Sequence, residues 1–439
     1  MSVPPSNQPP HESGAPESQH AKDESRRGLT RRQMITAIGF GGLATGAVGL
    51  AGGMALERHR DDGTPSWDTA VDFRGEHQPG IITPAQQQMI AIAFDMTASR
   101  QKDLIDLLEK WSIAAERLMD GDPVNTPKVR DDVPPDDTGE AMDLGPASLT
   151  VTFAFGASLF EHPEDGDRFG IAHRMPSLLR DGIPRMAAEK IDEDRSHGDL
   201  LIQICAEDPM VVLHAAHQFK RIAFGLATVR WMQLGYGRTS STSKDQKTPR
   251  NLFGFKDGTA NIKAEEPQEE LNEHLWIQPD DEAGDWAAGG SYFAFRKILQ
   301  MMEVWDELIL SEQENIVGRD KLEGAPLSGG EEFTEPDFNN PAIDENSHVR
   351  LMHPDNNNGR RMLRRGYNYT EGIDYLGRLN AGLFFIAYVR NPQTNFVPIL
   401  AKMRTDLMTE YLQHIATGLY IVPPGMRDGD TYVGQTLFS

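Results

Sequence analysis

Between Asp199 and Tyr236 the chain spells out a strand, a capped helix and a second strand, an order that few folds accommodate in so short a span. Asp199 to Ala206 is a largely apolar run of strand length. Asp208-Pro209 follows: the carboxylate can accept from the unpaired amides of a helix start, and proline, which has no amide, suits the first turn. Apolar residues then recur at helical spacing from Met210 to Phe224, and Val229 to Tyr236 reads as a further strand. Upstream, Leu149 to Phe155 alternates apolar residues with Thr and Ala, a strand pattern. Ala85 to Leu118, which includes Trp111, has helical spacing and predicts one or two helices. Strand, helix and strand in this arrangement predict a ferredoxin-like α+β unit. The carboxyl half carries the same theme without a direct sequence repeat: Gly290 to Arg296 as a strand, Leu299 to Leu310 as part of a helix, Ala381 to Val389 as a strand, and helical periodicity within Phe396 to Ile415.

A chain of 439 residues exceeds one domain of typical size, so two domains or one duplicated unit is expected. Its net charge of −23 argues against nucleic acid or an anionic membrane as principal partner, since both require a positive footprint. The single cysteine, Cys205, forbids an internal disulfide and sits in the apolar run LLIQIC, which predicts a buried, inert thiol. The first 70 residues differ in kind. Residues 1–28 are rich in Pro, Ser, Glu, Gln and His and read as a disordered leader. Paired Arg31-Arg32 then precedes a weakly apolar run from Ile35 to Leu56 that contains seven glycines. That pattern predicts a twin-arginine export signal over 29–56, with a retained membrane anchor as the competing reading, and a linker over 57–70. Export of a folded protein suits a chain that binds a cofactor first, and it predicts a periplasmic, cell-envelope or extracellular address.

Two further segments carry chemistry. Asn251 to Ile262, NLFGFKDGTANI, frames a carboxylate, Asp257, between Gly254 and Gly258 in an apolar and aromatic setting. Glycines allow a tight turn and close backbone approach to a ligand, although Asp-Gly is also a commonplace surface turn. About ninety residues on, His348 to Tyr369 reads HVRLMHPDNNNGRRMLRRGYNY. Elsewhere, His214 and His217 lie one helical turn apart, a spacing shared by metal pairs and by ordinary helix faces.

Together these stretches resemble the dye-decolorizing peroxidases, a haem family marked by a GxxDG motif and, later, by a histidine in a His-x-Arg context followed by Arg-Arg-Gly-Tyr. Gly80-Ile-Ile-Thr-Pro84, LTVTFAFGASLF, HGDLLIQICAEDP and the terminal GQTLF also look like family landmarks, so the resemblance spans residues from about 70 to 439. It implies an α+β chain of two ferredoxin-like domains, antiparallel sheets with flanking helices, over 71–250 and 251–439. Haem b, one per chain, would be held in the second.

On the motif positions the resemblance places His348 as proximal iron ligand, with His353 as understudy, and Asp257 and Arg364 on the other face, Arg364 also touching a haem propionate. Arg365 is the less favoured substitute for Arg364, and Arg360 and Arg361 make a basic surface segment the bland alternative. Asp257 can shuttle a proton between the two oxygens of hydrogen peroxide, and a guanidinium can stabilise the charge that develops on the departing oxygen. Phe255, Gly258 and Phe385 would border the haem, and the inward residues of the strand-like run that holds Leu383, Phe384 and Phe385 would wall a dry pocket. A proximal imidazole usually donates its second nitrogen proton to a carboxylate, for which Asp406 is the first candidate and Glu410 the second.

The activity implied is reduction of peroxide through a ferryl state and one-electron oxidation of bulky phenolic or anthraquinone-type donors, at the haem edge or through surface Trp or Tyr. Trp231, Trp276, Trp286, Trp305 and Tyr388 are the available aromatics. Two other readings stay open: deferrochelatase-like release of iron from haem beside components of an iron-uptake system, and a non-catalytic haem carrier. A homo-oligomer is compatible with the sequence, which does not specify it.

Overall fold

The computed structural model describes residues 66–125, 132–186 and 189–439. The readings of residues 1–28 as a leader, 29–56 as an export signal and most of 57–70 as a linker fall outside the described residues. Among those described, no helix is long and apolar enough to cross a membrane.

The first half contributes β1 (Gln88–Met96), α1 (Gln101–Met119), β2 (Thr150–Gly156), β3 (Leu200–Ala206), α2 (Pro209–Ile222) and β4 (Ala227–Arg238). The second half contributes β5 (Ser291–Gln300), β6 (Leu363–Arg364), β7 (Tyr367–Ile373), β8 (Leu379–Val389) and β9 (Leu412–Val422). Strands of the first half lie in the order β4-β1-β3-β2, and those of the second in the order β9-β5-β8-β7, with β6 running on beside β8. Short antiparallel pairings of β4 with β7 and of β2 with β9 join the halves edge to edge. Because β5 also pairs with β8, the nine strands close into one antiparallel, barrel-like sheet with no long free edge.

Strand alternation sorts the core into an inside and an outside. Met89, Ala91 and Ala93 of β1 face inward with Phe293, Phe295, Tyr367, Phe384, Ile386, Tyr388 and Tyr420. Cys205 belongs to this interior and is fully buried, which pushes its thiol pKa up and keeps it unreactive. Ile90, Ile92 and Phe94 face outward beneath α1 and α2. There Trp111 stacks beside Phe153 and meets Phe219 edge-on, and its indole N–H donates to the Phe219 carbonyl at 3.0 Å, so this fully buried ring also has its polar atom satisfied.

Three element boundaries differ from the sequence-based expectations. The helical reading of Ala85 to Leu118 holds only from Gln101, because Gln88–Met96 is β1. A strand buried on both faces is apolar throughout and carries no period of two. Leu299 and Gln300 end β5 rather than start a helix; short helices at Met302–Asp306 and Leu310–Val317 follow. Phe396 to Ile415 holds only one short α-helix, Val397–Ala401, before β9 begins at Leu412. The α2 start matches its reading: Asp208 Oδ1 accepts from the amides of Met210 at 2.6 Å and Val211 at 3.3 Å. Asp208→Ala is expected to cost about 1 kcal/mol, read as a lower urea midpoint at unchanged slope. An unchanged midpoint would show that the cap contributes nothing.

Candidate active site

The outer face of the second half lacks the pair of long helices that cover the first. Arg296, Ile298 and Gln300 of β5, Leu383 and Phe385 of β8, and Leu412 and His414 of β9 instead floor a cavity that offers about 240 Å³ to the centres of water molecules. Its walls come from the loop around Asp257, from α3 (His348–Met352), and from Phe396, Ile399, Met403 and Met408.

The Asp257 loop owes its shape to two glycines in the left-handed region, Gly254 at φ 83° and Gly258 at φ 89°. A Cβ on Gly258 would lie 3.0 Å from the Ser240 Cα, so backbone passes backbone there at a distance only glycine permits. Arg364 arrives from β6, and its Nη1 donates to Asp257 Oδ1 at 2.7 Å. Asn251 Nδ2 donates to the other oxygen at 3.3 Å. One residue later in the chain, Arg365 turns the opposite way and is fully buried, donating to the Thr83 carbonyl and to Gln86 Oε1. It therefore does not substitute for Arg364 in the cavity. Arg361 grips Glu266 with both nitrogens at 2.5 and 2.8 Å, and Arg360 lies 3.5 Å from Glu273, so the neighbouring arginines have their own carboxylates.

His348 is the first residue of α3, and its Nδ1 hydrogen-bonds Asp406 Oδ2 at 2.6 Å. The Asp406 side chain is 0% exposed, and its Oδ1 accepts from the Met408 amide at 2.9 Å. Glu410, the second acidic candidate, is exposed and does not meet the imidazole. Burial opposes charging of His348. The charge and hydrogen bond of Asp406, with the more remote charge of Asp257, outweigh both burial and Arg364, so the pKa is raised above 6.5. With Nδ1 engaged, Nε2 is the nitrogen left for an iron, which is the arrangement that holds a haem-ligating histidine in one tautomer. His353 also borders the cavity but is held by Glu335 at 3.3 Å and by an edge contact with Phe338. Phe255, Gly258, Leu383 and Phe385 all line the same cavity.

Sequence reasoning missed the polar part of the floor. Arg296 is buried against Glu189, with Nη1 2.5 Å from its carboxylate. Burial, aided by Arg296, lowers the pKa of His414 to about 4, so this imidazole is neutral at physiological pH. The available signal was strand alternation alone, since Arg296 and Gln300 flank Ile298 on one face of β5. His214 and His217 share one carboxylate, Glu140, at 2.8 and 2.7 Å, and among the described residues no group of three or more side chains is placed to hold a metal ion. The five aromatics offered as surface residues are corrected: whereas Trp67, Tyr236 and Tyr375 are exposed, Trp231, Trp276, Trp286, Trp305 and Tyr388 are all buried. Of these, Trp305 stacks on the cavity-lining Phe253 at 4.3 Å.

Family models describing the N-terminal and C-terminal parts of Dyp-type peroxidases match residues 78–237 and 248–427. The chain belongs to this family, and it is a haem-dependent oxidoreductase that acts with hydrogen peroxide and organic electron donors. It is 35% identical over 424 residues to a protein of Escherichia coli strain K12 called deferrochelatase, covering 93% of this chain and 96% of that one. An oxyferrous/water mixed complex of DtpA from Streptomyces lividans is similar at 38% identity and a TM-score of 0.76, covering 85% of this chain and 98% of that chain. A DyP-type peroxidase from Cellulomonas bogoriensis is similar at 32% identity and a TM-score of 0.74, with 85% and 99% covered.

In the haem-free protein, the His348 imidazole is expected to titrate above 6.5, and in Asp406→Ala to fall clearly, because burial then faces less opposition. Imidazole NMR across pH 5 to 9 reads both, and equal values in the two proteins would remove Asp406 as the cause.

Proposed function

We propose that this protein is an exported haem b peroxidase in which His348 ligates iron and Asp257 with Arg364 activates peroxide. The observation that carries the reading is that one cavity is lined both by His348, whose Nδ1 is bonded to the buried Asp406, and by the Asp257–Arg364 pair. When bound, haem supplies the two-electron reduction of peroxide and the later one-electron oxidation of donors. The chain's own groups do the rest. Asp406 fixes the tautomer and orientation of His348 and raises the electron donation of its Nε2. With haem bound, Asp257 would take a proton from one oxygen of hydrogen peroxide and return it to the other, directly or through water, on the carboxylate oxygen not held by Arg364. Arg364, always charged, stabilises negative charge on the departing oxygen and can also hold a propionate. Phe255, Gly258, Leu383 and Phe385 supply an apolar border that excludes bulk water, so bulky phenolic or anthraquinone-type donors react at the haem edge or by electron transfer.

The strand orders β4-β1-β3-β2 and β9-β5-β8-β7 support reading the body as two ferredoxin-like units, 71–250 and 251–439, with haem against the second. Export by the twin-arginine route to the periplasm, envelope or exterior belongs to the same proposal and rests on Arg31-Arg32 and the glycine-diluted run after it. Full-length likeness to the protein called deferrochelatase favours a second reading, iron release from haem beside iron-uptake components. Recovery of intact metal-free porphyrin from the haem-loaded protein would establish it.

Stopped-flow absorbance of haem-loaded protein with one equivalent of peroxide tests the first reading. Asp257→Ala and Arg364→Ala should each retain haem and slow the reaction by about 10²-fold or more, whereas His348→Ala should lose haem or its ferric spectrum. Both distal variants reacting at the wild-type rate would overturn the site assignment.

A further inference from the structure

Asn261 lies four residues beyond Asp257 in the same loop and is 3% exposed. All the amide capacity of its side chain that the structure accounts for is spent on backbone. Oδ1 accepts from the Arg364 amide at 2.7 Å, Nδ2 donates to the Arg364 carbonyl at 2.8 Å, and Nδ2 also donates to the Ser241 carbonyl at 3.0 Å. The first two bonds engage both polar groups of a single residue, as a neighbouring strand would.

The reason is topological. β6 is only Leu363–Arg364, and it terminates the sheet beside β8. The next amide, that of Arg365, donates across to the Ile386 carbonyl at 3.0 Å, so by antiparallel alternation the N–H and C=O of Arg364 point away from β8. Left alone, they would be unpaired polar groups at a partly buried edge, which is unfavourable because their lost water bonds would not be replaced. Asn261 supplies the missing pairing from the loop that also carries Asp257. That loop is itself anchored, by the Asp257 amide donating to the Pro249 carbonyl at 2.9 Å and the Asn261 amide to the Gly258 carbonyl at 3.1 Å.

We infer that Asn261 is a positioning residue that locks the backbone of Arg364 to the Asp257 loop and so sets the contact between guanidinium and carboxylate. The inference rests on the reading of Asp257 and Arg364 as the peroxide-activating pair. Without the clamp, β6 is held on one side only, and a displacement near 1 Å at a reacting group can cost about 10²-fold in rate.

A double-mutant cycle on the haem-loaded protein tests it. Asn261→Ala should slow the reaction with peroxide by about 10- to 100-fold in the wild-type background and by less than about twofold in an Arg364→Ala background, because it acts through Arg364. In the haem-free protein, guanidinium NMR should lose the ordered Arg364 signal in Asn261→Ala while keeping those of Arg365 and Arg296. Asn261→Asp is near in shape, keeps the acceptor and lacks both donor bonds; it is read the same way should the alanine variant fail to fold. An equal slowing in both backgrounds, or an unchanged Arg364 signal, would overturn the inference, as would failure of both variants to fold. Arg364→Ala reacting at the wild-type rate would instead sink the reading of the pair itself.

Discussion

The cavity hangs on the pairing of β5 with both of its neighbours. Antiparallel contacts with β8 from Tyr292 to Leu299 and with β9 from Ser291 to Gln300 make it the central strand of the second half. Its inward residues, Phe293 and Phe295, fill the barrel, and its outward residues, Arg296, Ile298 and Gln300, floor the cavity. Displacing this strand would therefore disturb core and site together. In the first half the equivalent outer face is sealed by two amphipathic helices with Trp111 between them. In the second half short helices and loops stand off from the sheet, and the space they leave is the site.

Two carboxylates at that space are held by specific partners. A buried carboxylate is costly unless hydrogen-bonded, and Asp406 has both oxygens occupied, by His348 and the Met408 amide. Asp257 likewise has one oxygen on Arg364 and the other on Asn251. Each contact also fixes a geometry, because Asp406 leaves Nε2 of His348 free and Arg364 fixes where the Asp257 carboxylate points. Farther along the floor, Arg296 is neutralised by Glu189 and His414 is kept uncharged, so that end of the cavity carries no net charge.

The site was more legible in the sequence than the elements around it. Gly254, Gly258 and Asp257 advertise a constrained turn, and Arg364, His348 and Asp406 follow from family motifs and from the ordinary need of a ligating histidine for an acidic partner. Alternation on β6 separates Arg364 from Arg365, but a two-residue strand is too short to read. β1 was hidden because both of its faces are buried and its apolar run has no period. Asn261 lies within the Asp257 motif, yet its bonds depend on an edge of β6 that appears only once the sheet is assembled. Arg296 and His414 sit on strands whose register is set by distant partners, so alternation alone could assign them a face but not a cavity.

The most direct test is a crystal structure of the protein loaded with haem. The account predicts iron bonded to His348 Nε2, the His348 Nδ1 bond to Asp406 retained, and Asp257 with Arg364 over the opposite face of the porphyrin. Iron held by His353 or His414, or Asp257 and Asp406 on the same face, would contradict it.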